Sequence, residues 1–461
     1  MGNSTSSSHR GGAAAEWKGP FSDTEYECLV AKYKDITIGA TTVSDVHARL
    51  QKLLQLPLSE SIPEQYQVCI NALGTAFYEL CLLSCEADGR TAASNKVLLI
   101  DFVQAVAACV RSSSQSIARA LFRLFAVTNR STISEDELTQ LFLALLIMAD
   151  DKIAVEDPKK ALHVAQKLTH AVLPLPVGST PQQTSNDEFV RWLSGQFPLF
   201  YSVFVSWMAT KCLDTLARPS YHSPRLSHKS DILSRTHFVC LSAVANPIQK
   251  PLSRLYTSAQ DGLSFNRLCF HLLGYTGSTL VVIQDTEGAV FGMFCDSEWK
   301  ESSRMYGGNG CFLFRLEPQI NIYNVSGASS GSNNNFMYLN SKGYSLPRGI
   351  GMGGNTNKFR LFVSEDFDES SYTTTQCMSF ESGKLSSREH FTIDAMEVWG
   401  CGDEEDLLNQ KALRNETAEM INRARKVDKA QFVGSDFDKE MFLGKTFGHG
   451  ADQARVADDE S

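Results

Sequence analysis

No stretch of these 461 residues is apolar for long enough to cross a bilayer as a helix, which takes about 20 such residues. A charged, apolar, cleavable leader is also missing, so neither a membrane span nor an oxidising compartment is expected. There is no cationic excess. Lys and Arg number 43 against 52 Asp and Glu, a net charge of −9, and that balance does not attract nucleic acid. The 12 cysteines form no C-x-x-C pair, and Cys81 and Cys85 stand four apart with no histidine pair at zinc spacing. Most lie inside apolar runs, where a thiol behaves as a small hydrophobe, and they read as reduced and structural. What is present is ordinary for a globular chain: 43% hydrophobic and 21% charged residues, with room for two or three domains. The expectation is a cytosolic protein.

The most informative stretch is 278–401, which reads as β-structure. The apolar runs 279–284 and 289–294 flank Asp285 and Gly288, the pattern of a hairpin. Along 311–316, Phe312, Phe314 and Leu316 fall on one face and Leu313 and Arg315 on the other. Further strands are predicted at 320–325, 336–339, 359–363, 376–380 and 391–399, which argues for antiparallel sheets packed as a sandwich. The same stretch carries Phe291 and Gly292, Trp299, Tyr306 and Gly307, Phe312 and Phe314, the loop with Gly351 and Gly354, and the closing Glu397, Trp399 and Gly400. In that order these residues resemble the TLDc domain, over 232–401. The resemblance implies a two-sheet antiparallel β-sandwich with flanking helices and no established active site. It further implies binding to the peripheral sector of the vacuolar-type proton ATPase, a link to oxidative-stress resistance and, taken with the chain's first residues, support of mTOR kinase signalling at the lysosomal membrane.

Those first residues, Met-Gly-Asn-Ser-Thr-Ser, fit removal of Met1 and myristoylation of Gly2 within a disordered leader, 1–21. One acyl chain gives only marginal attachment, and no basic cluster or early cysteine supplies a second signal, so membrane residence would depend on a protein partner. From 22 to 216 the periodicity is helical, with a capping box at Ser22 and Glu25, a second start at Thr42 and Asp45, and one long buried helix over 66–85. The overall class is α+β. Around 121–142 the pattern resembles an EF-hand, with Ile133 at the β-bridge position and Glu137 at the bidentate position. Ala126, Thr128 and Arg130 stand where acidic ligands belong, and calcium needs six or more oxygens, so a scaffold is expected rather than a sensor. Residues 184–192 resemble a second exit helix without a ligand loop before it. A Pro- and Ser-rich linker is read at 217–231, with His222 and His228 exposed.

Three features of the sandwich invite chemistry. The glycine run 349–354 resembles a phosphate loop, but a strand follows it where a helix is required, so it reads as a β-connection needing positive φ. Glu397 lies in an apolar strand and reads as a buried carboxylate bonded to a backbone amide or an arginine, with no second carboxylate or histidine to make an acid–base pair. His271 near Cys269 reads as packing. Neither a metal nor a cofactor is expected, and the pattern argues against an enzyme.

Beyond 401 a helix is expected over 403–433, acidic at its start and basic toward its end. Leu413, Thr417, Met420, Ala424 and Val427 alternate spacings of four and three, a narrow seam that either folds back on the sandwich or docks to a partner helix. A disordered tail, 434–461, follows. The resulting expectation is a lipidated adaptor with no catalytic residue. Its rivals are a redox protein using Cys269 or Cys377 and a calcium–myristoyl switch.

Overall fold

A computed structural model describes residues 18–87, 96–173, 182–214, 221–326, 336–342 and 345–434. The leader's Gly2 and the tail beyond 434 lie outside the described residues. Phe21, at the leader's end, is buried beneath the Arg111 guanidinium, 5.7 Å from its ring centre.

Helices begin where the capping signals place them. The Ser22 hydroxyl accepts from the Glu25 amide while the Glu25 carboxylate takes the Ser22 amide, and Thr42 and Asp45 repeat the arrangement. These boxes open α1 (Asp23–Thr37) and α2 (Val43–Leu53). Then come α3 (Val68–Asn71), α4 (Leu73–Ala87), α5 (Leu99–Val110) and α6 (Ser114–Phe125). The strand β1 (Thr132–Ser134) leads into α7 (Glu135–Ala149), followed by α8 (Ile153–Glu156) and α9 (Pro158–Val172). A second strand, β2 (Gln183–Ser185), leads into α10 (Asn186–Gln196), and α11 (Phe200–Leu213) closes this half.

The single helix expected over 66–85 is broken at Ala72, between α3 and α4. The cause is Gln51 of α2. Its side-chain amide accepts from Gly74 N at 2.7 Å and donates to Ile70 O at 3.3 Å, replacing the bond that Gly74 would make to the carbonyl four residues back. Nothing in the local sequence announces that insertion.

The second half opens with α12 (Arg235–Ser242), β3 (Ser253–Thr257), α13 (Ser258–Asp261) and α14 (Phe265–Leu272). Next are β4 (Thr279–Asp285), β5 (Val290–Cys295), β6 (Phe312–Glu317), β7 (Asn321–Tyr323) and β8 (Met337–Asn340). Then β9 (Gly349–Asn355), β10 (Lys358–Ser364), β11 (Tyr372–Thr373) and β12 (Ile393–Gly400) complete the sheets, and α15 (Glu404–Gly434) leaves them. Six strands pair antiparallel in the order β3-β12-β4-β5-β6-β7, and four in the order β11-β10-β9-β8. The β4–β5 hairpin forms at the expected turn, where the Asp285 carboxylate accepts from the amides of Glu287 and Ala289.

Two strand expectations change. The glycine run is no connection: it is β9, paired on both sides by β8 and β10, with positive φ confined to its ends at Gly349, Gly353 and Gly354. Residues 376–380 form no strand and contribute only the isolated bridge Phe380–Val325. Over 221–231, which holds Pro224, no regular element forms, yet the segment is packed: Tyr221 is buried on Ser242, and Leu226 bridges Leu252.

Both faces of the six-stranded sheet are buried. Val281, Ile283, Phe291, Met293, Leu313 and Val398 face the four-stranded sheet, meeting Ile350, Met352, Leu361 and Val363. On the opposite face Leu280, Val282, Phe294, Phe312, Phe314 and Trp399 join one continuous apolar core with the helical half. Phe238 of α12 meets Trp399 edge to face at 5.3 Å, and Gln196 of α10 accepts from Ile322 N at 3.0 Å. A nearly buried ion pair, Lys167 of α9 with Glu317 of β6, ties the halves, and His237 of α12 stands 3.7 Å from the same carboxylate. Burial, reinforced by Lys160, Lys167 and His163, pushes the His237 imidazole down to about 3, so it is neutral beside that pair.

Candidate interaction surface

Most of the sequence motif residues are buried and form a framework rather than one surface. Phe291 meets Phe391 edge to face at 5.1 Å inside the sandwich, whereas Phe312 stacks on Phe294 at 5.1 Å on the outer face of the larger sheet. Gly292 sits where β4 passes so closely that a Cβ would collide with the Val281 carbonyl oxygen. The Trp299 indole donates to Thr279 Oγ1 at 2.9 Å, and the Tyr306 hydroxyl accepts from Lys300 N at 3.0 Å. Gly307 follows with positive φ, and the amides of Gly308 and Gly310 donate to the Asp296 carboxylate. Burial raises that carboxyl, but these amides and the Ser297 hydroxyl hold it below the usual range. Gly351 and Gly354 lie in β9, and Gly400 ends β12 against Tyr275.

Glu397, Trp399 and the segment before α12 do come together. The Glu397 carboxylate, fully buried, accepts from Ser230 Oγ at 2.6 Å, Asp231 N at 2.7 Å and Trp399 Nε1 at 2.9 Å. This is the backbone-amide option of the two anticipated for it. Its lone pairs are spent on pinning the chain's entry into the domain. His271 also packs: burial lowers its imidazole below the usual range, with the Asp261 carboxylate at 3.4 Å opposing.

The accessible feature of this half is the α14–α15 corner. Asp406 receives Asp403 N at 2.7 Å and the Thr276 hydroxyl, Gly402 N donates to the Tyr275 hydroxyl at 2.7 Å, and Lys250 pairs with Asp403 at 3.0 Å. The first turn of α15 is thus fixed on the loop between α14 and β4. Leu407 packs on the sandwich core, and Gln410 donates to the His271 carbonyl at 2.8 Å, capping the end of α14. Arg414 donates to the Phe270 carbonyl at 2.8 Å and lies over the Phe270 ring at 4.4 Å, while Leu413 abuts Gly274. Past Arg414, the side chains described on α15, Met420 among them, face solvent. The expected seam is therefore divided by contact: Leu413, 48% exposed, abuts Gly274 in the anchored part, whereas Met420, 59% exposed, lies beyond it. Thr417, Ala424 and Val427 are on the same helix, but their side chains lie outside the described residues. Gln410, Arg414 and Phe270 were missed in the sequence, where a polar residue capping another helix leaves no periodic signal.

A family model described as the TLDc domain matches residues 226–402. Those residues are a TLDc domain. The match begins at the Leu226 bridge, before the 232 boundary expected from sequence, in keeping with the packing of Ser230 and Asp231 on Glu397. Among curated proteins, MTOR-associated protein MEAK7 of Mus musculus is 36% identical over 219 residues, covering 45% of this chain and 46% of that protein. The Homo sapiens protein of that name is 37% identical over 150 residues, 32% of each chain. Oxidation resistance protein 1 of Xenopus laevis is 27% identical over 184 residues, 39% of this chain and 20% of its own length. The matches to the MEAK7 proteins thus span less than half of those proteins' length.

In the helical half, the strands β1 and β2 join two helix–strand–helix units through Ile133 and Thr184, the β-bridge expected of paired EF-hands. Glu137 is turned to another use. Its carboxylate accepts from Thr128 N at 2.7 Å and from Ser134 N and Oγ at 2.9 Å, and Glu188 receives Ser185 in the same way. Both glutamates close capping boxes, and Glu137 also accepts the Thr128 amide of its own loop. The redox candidate Cys269 is pushed up to about 12 by burial, far from the depressed thiol a nucleophile needs.

Proposed function

We propose that the chain is a non-enzymatic adaptor on the cytosolic face of the lysosomal membrane. It binds the peripheral sector of the vacuolar-type proton ATPase through its TLDc domain and α15, and supports mTOR signalling by direct or indirect contact with that kinase. The observation that carries this reading is the form of α15: rigidly anchored through Arg414, then continuing with Met420 exposed. A helix held at one end presents its free part at a fixed angle, which lowers the ordering cost of docking to a partner helix. The TLDc surface and the helix then act as two linked contacts, each raising the effective concentration of the other. The names of the MEAK7 relatives support the link to mTOR. Myristoylation of Gly2 adds a weak membrane contact that the pump contact makes lasting. A stress-protective role, in keeping with the name of the oxidation-resistance relative, would follow from regulation of the pump rather than from thiol chemistry.

The test is a pull-down from solubilised lysosomal membranes with full-length protein and Met420→Glu, each with calcium and with chelator. Peripheral-sector subunits should co-purify with the parent protein in both conditions and fall at least tenfold with the variant. Absence of pump subunits overturns the reading, and loss in chelator alone restores the calcium switch.

A further inference from the structure

A polar cleft of about 450 Å³ opens on the smaller sheet between residues 373–376 and 384–389, with Lys358 at its end. Its size is within the range of small-ligand sites, roughly 300–1,000 Å³. Its lining differs from theirs: Ser and Thr hydroxyls with Lys358, Lys384 and Arg388, against the carboxylate of Glu389. Arg388 is engaged by Glu287 at 2.6 Å, while Lys358 and Lys384 have no ion pair among the described residues.

Beneath the cleft lies Arg360, fully buried in β10. Its guanidinium donates to the carbonyl of Thr374 in one wall and to that of Gly383, which immediately precedes Lys384 of the other, and so ties the two segments together. Its Nε has no partner, and no carboxylate lies within 4.0 Å of it among the described residues. Arg315 of β6, also buried, reaches the Lys384 carbonyl from the other sheet at 3.4 Å, again without a carboxylate. The Tyr323 ring, 5.4 Å from Arg360, donates its hydroxyl to that same carbonyl. Against them stands one buried carboxylate, Asp285, which accepts from the lining Ser386 hydroxyl at 2.7 Å, so two buried cations still leave net positive charge in a poorly screened place, under a rim where Lys358 and Lys384 have no ion pair among the described residues.

We propose that this cleft binds a phosphate-class oxyanion, carried by a free phosphorylated metabolite or by a phosphorylated lipid headgroup. The exposed Thr375 and Ser387 hydroxyls donate to its oxygens, those of Thr374 and Ser386 being committed to Phe359, Gln376 and Asp285; Lys358 and Lys384 supply charge, and the ligand offsets the field of Arg360 and Arg315 below.

Full-length protein is titrated with inorganic phosphate and inositol hexakisphosphate at constant ionic strength, read by calorimetry and thermal unfolding. It is also sedimented with phosphatidylcholine vesicles with and without a phosphoinositide. The test variant is Lys358→Glu/Lys384→Glu, both sites being exposed, and the control is Lys52→Glu on α2. The expected result is a rise of about 5 °C at a hundredfold excess over Kd, with affinity lost at least tenfold in the double variant and kept in the control. The double variant should unfold unliganded within a degree of the parent. Vesicle binding competed by the inositol phosphate identifies a headgroup, and binding of the soluble anion alone identifies a metabolite. No binding to either, or equal weakening in the control, overturns the proposal.

Discussion

Replacing Glu137 tests whether an EF-hand carboxylate has become a structural acceptor. The side chain is 6% exposed and takes two backbone amides and one hydroxyl. A hydrogen bond to a charged group contributes about 1.5–3 kcal/mol, and an amide left without a partner costs about 1–3 kcal/mol. Because these terms overlap for the same two amides, Glu137→Ala should cost about 3 kcal/mol. Glu137→Gln, keeping one acceptor oxygen, should cost about 1.5 kcal/mol. The assay is urea unfolding of the full chain by far-ultraviolet circular dichroism, reading the helical half's transition, since a chain of this size need not unfold in one step.

Acid supplies a second readout. Burial raises the Glu137 carboxyl, but the amides of Ser134 and Thr128 outweigh it and hold the group below its ordinary value. Its contribution is therefore present above the unfolded pKa, near 4.3, and is lost as pH falls through the lower folded value. The gap between the parent and Glu137→Gln should stay constant from pH 7 to 5 and close below about pH 4. Calcium at millimolar concentration should not move the parent's midpoint. A Glu137→Ala penalty below about 1 kcal/mol, or stabilisation by calcium, would show that the carboxylate is not committed to its backbone and would refute the reasoning.

Other substitutions probe the framework. Glu397→Ala strands the Ser230 hydroxyl, the Asp231 amide and the Trp399 indole in a dry site, and should cost about 3–5 kcal/mol in urea unfolding monitored by tryptophan fluorescence; a cost near zero would mean that the segment repacks. Gly292→Ala places a methyl against the Val281 carbonyl in a central strand, and should leave little soluble protein on size-exclusion chromatography. Lys167→Met removes the Glu317 partner with little loss of volume, and should weaken the joint between the halves by about 1–3 kcal/mol. Limited proteolysis of the chain should then proceed several-fold faster, and an unchanged rate would mean that the apolar contacts alone hold the halves.

The sandwich was legible because its strands alternate and its turns are marked by Asp and Gly. The caps of α1 and α2 were legible because a capping box is a local code; α7 and α10 carry the same code at Ser134 and Ser185. Contacts made from elsewhere in the chain were not legible. Gln51 splits a helix twenty residues away in sequence, and a glycine run is a strand because β8 and β10 pair with it on either side. Two of Glu137's partners in its loop are backbone amides, which every residue but proline carries, so no residue type signals them. At the candidate site, the seam on α15 could be seen as a stripe, but its division at Arg414 depends on Phe270 and the end of α14.

Phe312, Phe314 and Leu316 on one face and Leu313 on the other are all buried, so apolar residues on both faces of a strand already imply a second covering layer. In an isolated sandwich of two sheets, one face of each would be expected to carry polar residues. Here the larger sheet is the middle layer of three, between the smaller sheet and the helical half, with Trp399 and Phe238 at the seam. The EF-hand-like half is therefore not an appendage tethered by a linker. The Ile133–Thr184 bridge and the helices around it form the shape that covers the sheet, so this half acts as a structural layer of the same core.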